Sequence, residues 1–280
     1  MRLPKENDLY TLNPYYIRNK NTFNALKTDI SLLFPSINYI PFSNIDDNRW
    51  DCIYMSSFAP NVLIDKLDSV DYKKIVLVED GLFDYISPED DYTFYNNKEL
   101  FLFRPQLAST STKQARVHSF VVSEEVIDRF NSIYSKELEK LSQLDNDTMI
   151  LFTTPLEEDF YANNCLISEI LDFIDKTFAP KKIVLKRHPR DFFTYESSSI
   201  EIIECPKNIP GQLLDKMFDG LKVFLFPSTV SFMCGELSDI VFINVLPDNK
   251  EYNRTFSSIV DSNLFNNKKH IKILSMKESN

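Results

Sequence analysis

The sequence predicts an α/β fold made of two lobes with a cleft between them. Short β-branched apolar runs alternate along the chain with segments whose apolar residues recur at helical spacing. Several of these runs are apolar on both faces, which is typical of parallel strands covered by helices. The polar stretch LSQLDNDT at 141–148 separates a long predicted helix from a new strand. We therefore expect an N-terminal lobe at 1–145 and a C-terminal lobe at 146–280, with ligands beyond the carboxyl ends of the strands.

Six of the apolar runs predict strands. Because strand, helix and strand follow one another, we expect parallel pairing through right-handed crossovers. The predicted strands are Lys74 to Val78, Val117 to Val122, Met149 to Thr153, Lys182 to Lys186, Lys222 to Pro227 and Ile240 to Val245.

Three segments predict helices, each with a start or stop signal. The first has a serine at the capping position and two acidic residues in its first turn. The second ends just before a proline, and the third begins with a proline and stops at a glycine. These helices are predicted from Ser123 to Tyr134, from Ile167 to Phe178 and from Pro210 to Gly220.

The charge balance argues against a general nucleic-acid binder. The formal net charge is −10, whereas affinity for a phosphate backbone comes from clustered lysine and arginine. An anionic ligand must therefore be held by a local basic site. The densest such site is Lys186 to Arg190, within the stretch IVLKRHPRD.

The four cysteines are scattered singly, without CxxC pairs or histidines at ligand spacing, so neither a zinc site nor a disulfide framework is predicted. A reducing cytosol is the simplest location. No apolar stretch approaches the roughly 20 residues that cross a bilayer, and the start MRLPKENDLY has no apolar core of a signal peptide. Peripheral membrane contact at the inner face and a homo-oligomeric state are left open.

His188 is the first candidate functional residue, because it follows a predicted strand at the edge where ligands bind. Pro189 favours an extended backbone at His188 and so halts the strand there. A histidine in this position could donate a hydrogen bond or a proton to a leaving phosphate. The alternative is that Lys186, Arg187 and Arg190 form a solvated basic corner, with His188 capping a turn.

The second candidate is the stretch FPSTVSF at 226–232. Ser228 and Thr229 follow a predicted strand and open a helix, so their hydroxyls and the backbone N–H groups of the first turn converge on one point. That arrangement can hold an anion. Ordinary N-capping by Ser228 is the alternative.

Carboxylates follow two predicted strands and form the third candidate. Glu79 and Asp80 precede Gly81, which permits a tight turn that points a carboxylate into the cleft. A general base that takes a proton from an attacking hydroxyl needs that position. The loop after the first strand of the second lobe carries Glu157, Glu158 and Asp159. Solvated acidic loops are the alternative for both sets, in a chain with 41 acidic residues.

Together, Glu79-Asp80-Gly81, His188-Pro189 and Ser228-Thr229 resemble the three short signatures of bacterial sialyltransferases: an acidic-acidic-Gly motif, a His-Pro motif and a Ser/Thr motif, in this order. The chain is most similar in these motifs to glycosyltransferase family 52, whose members sialylate lipooligosaccharide and capsular polysaccharide. The resemblance covers roughly residues 50–245.

This resemblance implies a GT-B architecture, with two Rossmann-like lobes. It implies an inverting, metal-independent enzyme without a cofactor, which transfers sialic acid from CMP-sialic acid to a galactose-terminated glycan. The donor would bind mainly to the C-terminal lobe. His188 of the His188-Pro189 motif would assist departure of the cytidylate phosphate, Ser228 and Thr229 would hold its oxygens, and the neighbouring cations Lys186 and Arg187 would add positive charge.

The resemblance leaves two positions open for the base. Asp80, with Glu79 beside it, belongs to the acidic motif, whereas family members also use the acidic loop that here contains Glu158 and Asp159. In that loop Phe160 stands where related chains tend to have glycine. Family members usually begin with an apolar strand and a helix, which MRLPKENDLYTLNP does not show, so either a chain shortened at its start or a reduced first lobe is expected.

Two further functions compete with sialyl transfer. One is another GT-B transferase with a different nucleotide donor, such as a polysialyl or teichoic-type polymer transferase. The other is a non-catalytic sugar-nucleotide-binding subunit of capsule assembly. Linkage and acceptor are not predicted by the sequence.

Overall fold

A computed structural model of the chain describes two compact units, Met1–Ser135 and Lys136–Asn280. The described residues are 9–10, 24, 27, 38–41, 44–45, 49–56, 67–79, 85, 98–108, 115–119, 124–142, 148–156, 164–188, 190–206, 209, 211, 214, 218, 220–235 and 237–276.

The N-terminal unit is built on parallel strands. Two short strands, β1 (Leu9–Tyr10) and β2 (Asn38–Tyr39), pair with each other. A separate four-stranded sheet has the order β3-β4-β5-β6, with every pair parallel. Its strands are Ile53–Ser56, Ile75–Val78, Glu99–Leu102 and Arg116–Ser119. A 3-10 turn at Pro105–Leu107 follows β5, and helix α1 (Glu124–Ile133) follows β6.

The C-terminal unit contains a six-stranded parallel sheet in the order β12-β11-β10-β7-β8-β9. Numbered within the unit, this is the strand order 3-2-1-4-5-6 of a doubly wound Rossmann sheet, which reverses direction between β7 and β10. The strands are β7 Thr148–Phe152, β8 Lys182–Lys186, β9 Glu201–Glu204, β10 Lys222–Phe224, β11 Ile240–Asn244 and β12 Ile271–Ser275.

Helices connect these strands. Helix α2 (Ser135–Ser142) precedes β7, and α3 (Asn164–Phe178) joins β7 to β8. Helix α4 (Thr229–Met233) follows β10, α5 (Lys250–Val260) follows β11, and a 3-10 turn at Asn263–Phe265 precedes β12. No helix within the described ranges is long and apolar enough to span a membrane.

The core of the C-terminal unit lies along its central strands. Every residue of β7, β10 and β11 is buried. The rings of Phe152 and Phe224 stack on adjacent strands, with centroids 4.4 Å apart, and Phe242 contacts Phe265 edge to face at 5.2 Å. Burial of each such ring contributes about 1.5–3 kcal/mol, and a well-oriented aromatic pair adds about 0.5–1.5 kcal/mol.

The cysteines are thiols that differ in exposure. Cys165, on α3, is exposed, whereas Cys205 and Cys234 are buried in the same unit. Burial raises the pKa of Cys205 to about 11, since an ionised thiolate would lose its hydration there.

The α/β class with parallel sheets is confirmed. The runs at 74–78, 149–153, 182–186 and 240–245 are strands to within one residue at each end. The predicted strand from Lys222 to Pro227 is too long, because β10 ends at Phe224 and the chain then bends. Of the helix predicted from Pro210 to Gly220, Gly211 and Leu214 are helical, and most of its other residues lie outside the described ranges.

Candidate active site

The carboxyl edge of the six-stranded sheet brings three candidate segments together. Thr153 follows β7, His188 lies just beyond β8, and Ser228 lies just beyond β10. β7 pairs with both β8 and β10, so Thr153, directly after β7, follows the strand that lies between β8 and β10. Adjacent strands are about 4.8 Å apart, so the ends of β8 and β10 are separated by roughly 10 Å. The reversal of strand order between β7 and β10 marks this edge as the ligand crevice of such a sheet.

His188 is half-buried, and hydrogen bonds to its backbone nitrogen and its ring hold it in place. Its backbone N–H donates to the Thr153 hydroxyl oxygen at 3.0 Å. Its ring Nδ1 accepts a hydrogen bond from the backbone N–H of Arg190 at 3.2 Å. Because Nδ1 acts as an acceptor, the proton of the neutral imidazole is on Nε2. In the neutral ring Nε2–H is therefore the donor.

Asp191 holds the segment after β8 in place through buried hydrogen bonds. It is 1% exposed, and its carboxylate accepts from the Thr153 hydroxyl and, at 3.1 Å, from the backbone N–H of Phe193. Its own N–H donates to the carbonyl of His188 at 2.9 Å. A buried carboxylate is costly unless it is hydrogen-bonded. Asp191 thus orients the Thr153 hydroxyl, which in turn accepts from His188.

Tyr195 is buried next to this network. It is 5% exposed, and its ring lies 5.8 Å from the guanidinium carbon of Arg187. Burial raises the pKa of the Tyr195 hydroxyl, and the negative charge of Asp191 raises it further. The phenol therefore stays neutral and adds no second negative charge.

The alternative of a solvated basic corner is wrong for Lys186 and Arg187. Lys186 is buried, and its Nζ lies 3.5 Å from the carbonyl oxygen of Pro206. The Arg187 side chain is 15% exposed and donates to the carbonyls of Asp191, at 3.2 Å, and Phe193. These contacts brace the loop after β8, and a direct role of either cation in donor binding stays a prediction.

Arg190, the remaining cation of this stretch, does fit the alternative of a solvated basic corner. Arg190 is exposed, and its N–H bond to His188 Nδ1 closes a tight local turn. Arg187 Nη1 also lies 3.5 Å from a carboxylate oxygen of Glu204 on β9. His188 therefore does cap a turn, while its Nε2 edge is not used by that bond.

Ser228 is the N-cap of α4, as the capping alternative predicted. Its hydroxyl accepts from the Ser231 N–H at 3.4 Å, and the Ser231 hydroxyl accepts from the Ser228 N–H at 2.9 Å. This reciprocal capping box satisfies donors of the first turn. Thr229 is the first helical residue, and both Ser228 and Thr229 are partly exposed at the carboxyl edge.

In the N-terminal unit, Glu79 ties together the ends of two strands. Its Oε2 accepts from the Tyr85 hydroxyl at 2.5 Å and from the Phe103 backbone N–H at 2.6 Å. The Tyr85 hydroxyl accepts in turn from the Arg104 N–H at 3.0 Å. Glu79 follows β4 and Phe103 follows β5, so this carboxylate joins the two strand ends.

Several predicted site residues lie outside the described residues. They are Asp80, Gly81, Glu157, Glu158, Asp159 and Pro189.

No protein-family model and no curated protein matches the chain.

Sequence reasoning missed Thr153, Asp191 and Tyr195. The sequence predicts Thr153 as the last residue of a strand. A hydroxyl at a strand end on the edge where ligands bind is itself a sign of a functional residue. Asp191 follows directly on the basic stretch, where a single carboxylate among cations indicates an internal partner. Thr153 and Asp191 fix the loop that carries the His188 imidazole, whose N–H suits an oxyanion such as phosphate.

Proposed function

We propose that this chain is an inverting, metal-independent sialyltransferase that uses CMP-sialic acid as donor and a terminal galactose-type sugar of a surface glycan as acceptor. The proposal includes a GT-B arrangement in which the two units are the two Rossmann-like lobes. The order of the three motifs along the chain agrees with that of bacterial sialyltransferases.

One observation carries the proposal. His188 and Ser228 follow the two strands that flank β7 at the reversal point of a 3-2-1-4-5-6 sheet, and Thr153 lies between them. In such sheets nucleotides bind in the crevice beyond the carboxyl ends at the reversal point. The ends of the two strands that precede these motifs are thus roughly 10 Å apart, on the edge where a nucleotide donor is expected.

His188 is proposed to act on the leaving group. Its Nδ1 is occupied by the Arg190 N–H, which leaves the proton of the neutral ring on Nε2. A donor N–H that faces a phosphate oxygen stabilises the negative charge that grows as cytidylate departs. The bonds that His188 forms with Thr153 and Asp191 hold its backbone in place, so little rearrangement of the loop is needed when the donor binds.

Ser228 and Thr229 are proposed to bind the phosphate oxygens. The Ser228 hydroxyl accepts in its capping bond and keeps its own proton for donation, and Thr229 offers a second hydroxyl beside it. Two neutral donors suit a phosphate that must also be released. The cytidylate would then be held between the ends of β8 and β10.

Displacement of cytidylate by the acceptor completes the reaction. The acceptor hydroxyl oxygen forms a bond to the anomeric carbon of sialic acid while the bond from that carbon to the phosphate oxygen breaks. The hydroxyl proton passes to a carboxylate, for which Asp80 and Asp159 are the two candidates. Glu79, the residue before Asp80 in the sequence, is held in place because its carboxylate accepts hydrogen bonds from Tyr85 and Phe103.

The test is incubation of the wild type with CMP-sialic acid and a panel of galactosides, with CMP release and product linkage both measured. His188→Ala is expected to lower turnover by roughly 10²–10⁴-fold, the usual contribution of a positioned proton donor. His270→Ala is the matched control, because this exposed histidine lies before β12, next to Asp239.

Four results would count against the proposal. Wild-type protein that releases no CMP and makes no product with any galactoside would refute sialyl transfer. Transfer from another nucleotide sugar would support the polymer-transferase alternative, and cytidylate binding without turnover would support the non-catalytic one. Equal turnover of His188→Ala and the wild type would remove the leaving-group role.

A further inference from the structure

A basic concavity lies at the opposite, amino-terminal edge of the four-stranded sheet in the N-terminal unit. It has a volume of about 410 Å³ and is lined by Tyr72, Lys73, Lys74, Ile75, Lys98, Glu99 and Arg116. Small-molecule sites have volumes of roughly 300–1,000 Å³, so a phosphorylated sugar or nucleoside is of suitable size. Because Glu79 lies beyond the carboxyl ends of the same strands, this concavity is separate from the acidic motif.

Three successive strands contribute the cations. Lys74 precedes β4, Lys98 precedes β5 and Arg116 begins β6. The register pairs Glu99 with Arg116, and the Arg116 N–H donates to the Lys98 carbonyl at 2.8 Å. The cationic side chains are thus brought to one edge by the parallel ladder rather than by a flexible surface loop.

The local charge contrasts with that of the whole chain. Among the residues that the structure describes, four cationic side chains and the Glu99 carboxylate line the concavity and Asp51 pairs with Lys73 at 2.5 Å, so their charges sum to +2. The chain as a whole carries −10. A phosphate monoester carries about −1.5 to −2 at neutral pH, a closer match than the single charge of a carboxylate.

One of the existing ion pairs is easily exchanged for a ligand. The side chains of Lys73 and Asp51 are 62% and 86% exposed, whereas Glu99, 2.7 Å from Lys74, has only 27% of its side chain exposed. An exposed pair such as Lys73–Asp51 contributes about 0–1 kcal/mol. A dianion that contacts several cations at once can therefore displace Asp51 from Lys73.

Lys98 and Arg116 add two specific features. Partial burial lowers the pKa of Lys98, since its ammonium group has lost part of its hydration. An anion bound beside it would offset that cost. Arg116 is exposed and offers a planar guanidinium that binds two oxygens of one phosphate.

We infer that this concavity, at the amino ends of β4, β5 and β6, is a binding site for a phosphate-bearing small molecule. Lys73, Lys74, Lys98 and Arg116 together supply the positive charge that holds the phosphate, and Lys73 exchanges Asp51 for it. The site is independent of the proposed transfer reaction.

Isothermal titration calorimetry tests the inference: the whole chain is titrated with inorganic phosphate and, separately, with pyrophosphate. Saturable binding is expected for the wild type. Lys98→Met and Arg116→Gln are each expected to weaken it about tenfold, as for loss of one charge-assisted hydrogen bond. Lys98→Arg should restore most of the affinity. Lys182→Met is the matched control, because Lys182 also begins a parallel strand and lies 3.9 Å from Glu201.

Two further arms separate other sources of anion binding. A double variant, Ser228→Ala with Thr229→Val, should keep phosphate affinity at this site, and its loss would move the binding to the candidate active site and overturn the inference. Absence of saturable phosphate binding, or equal weakening by Lys182→Met, would also overturn it. Co-sedimentation with vesicles of phosphatidylserine and phosphatidylcholine without binding of either soluble probe would assign the patch to a membrane instead. Circular dichroism confirms that each variant is folded.

Discussion

The hydroxyl of Thr153 accepts a hydrogen bond from the backbone N–H of His188 at 3.0 Å. The last register pair of the two strands is Phe152 with Lys186, and the Thr153 N–H still donates to the Lys186 carbonyl at 3.1 Å. One residue further along, a side chain replaces the backbone as acceptor. The parallel ladder therefore ends in a contact that sets the backbone of His188.

Replacement of Thr153 by valine should destabilise the protein by about 1–3 kcal/mol, because it removes the acceptor of the His188 N–H and a donor to the buried Asp191 carboxylate. Thr153→Ser keeps the hydroxyl and should restore most of that stability. Urea unfolding of both variants measures the difference. A valine variant as stable as the wild type would show that this contact contributes nothing to the loop.

Substitutions at Ser228 and Thr229 separate capping from ligand binding. Ser228→Ala should cost about 1 kcal/mol, since the hydroxyl caps α4. Thr229→Val keeps the shape of the side chain and lies outside the capping bonds, so it should leave the melting temperature nearly unchanged. Under the proposed function both variants weaken cytidylate binding, measured by calorimetry. Unchanged affinity of the double variant would restrict both residues to a structural role.

Asp80→Asn and Asp159→Asn distinguish the two candidate bases. Asparagine cannot accept the proton of the acceptor hydroxyl, so the variant at the true base should lose turnover roughly 10²–10⁴-fold and keep donor affinity. The other variant should retain most of its activity. Steady-state kinetics with CMP-sialic acid and a galactoside give both quantities. If neither substitution lowers turnover, the base lies elsewhere.

Gly220→Ala should destabilise the C-terminal unit, because an added Cβ would lie 2.7 Å from the backbone carbonyl oxygen of Thr148. A backbone atom cannot rotate away, so a cost of about 1–3 kcal/mol is expected. Gly235→Ala is the matched control, since its Cβ would meet the Ser238 Oγ at an ordinary 3.4 Å. Thermal unfolding of the two variants compares them. Equal melting temperatures would show that the sheet adjusts without cost.

The raised pKa of Cys205 predicts a loss of stability at alkaline pH. In the unfolded chain the thiol ionises near pH 9, whereas in the folded protein its pKa is about 11. The folded state therefore holds the proton longer. The contribution of the protonated Cys205 thiol to the free energy of unfolding is fully present below pH 9. It falls by up to about 1.4 kcal/mol per pH unit as the pH rises towards 11.

Urea unfolding between pH 8.5 and 10 tests this slope. The range stays below the pH at which tyrosines of the unfolded chain ionise fully, and burial also raises the pKa of Tyr195 and Tyr252. Cys205→Ala removes the thiol and should flatten the curve relative to the wild type. Parallel curves for the two proteins would contradict the prediction.

The central strands could be predicted from sequence because they are buried on both faces. β7 and β11 are continuous apolar runs, and burial of every side chain explains that pattern. β9 and β12 form the edges of the sheet, where residues are partly or fully exposed, so their sequences EIIE and IKILS carry a weaker signal. The strand predicted for β10 is too long because Leu225 is still buried after the strand has ended. Apolar residues indicate burial and not hydrogen bonding to a neighbouring strand.

The candidate site was predictable in its positions but not in its contacts. His188 and Ser228 could be assigned to strand ends, since the apolar runs before them stop there. The bond between Thr153 and Asp191 joins residues 38 positions apart, and only the pairing of β7 with β8 brings them together. Glu79 was predicted beside a base, while its contacts with Tyr85 and Phe103 depend on the pairing of β4 with β5.

The contrast between Cys165 and the two buried cysteines of its unit gives the chain an intrinsic chemical reporter. A thiol-specific reagent reaches the sulfur on α3 in the native state, whereas Cys205 and Cys234 become reactive when the sheet opens. The rates at which Cys205 and Cys234 are alkylated therefore report how often the C-terminal unit opens around each of them, and no added fluorophore is needed.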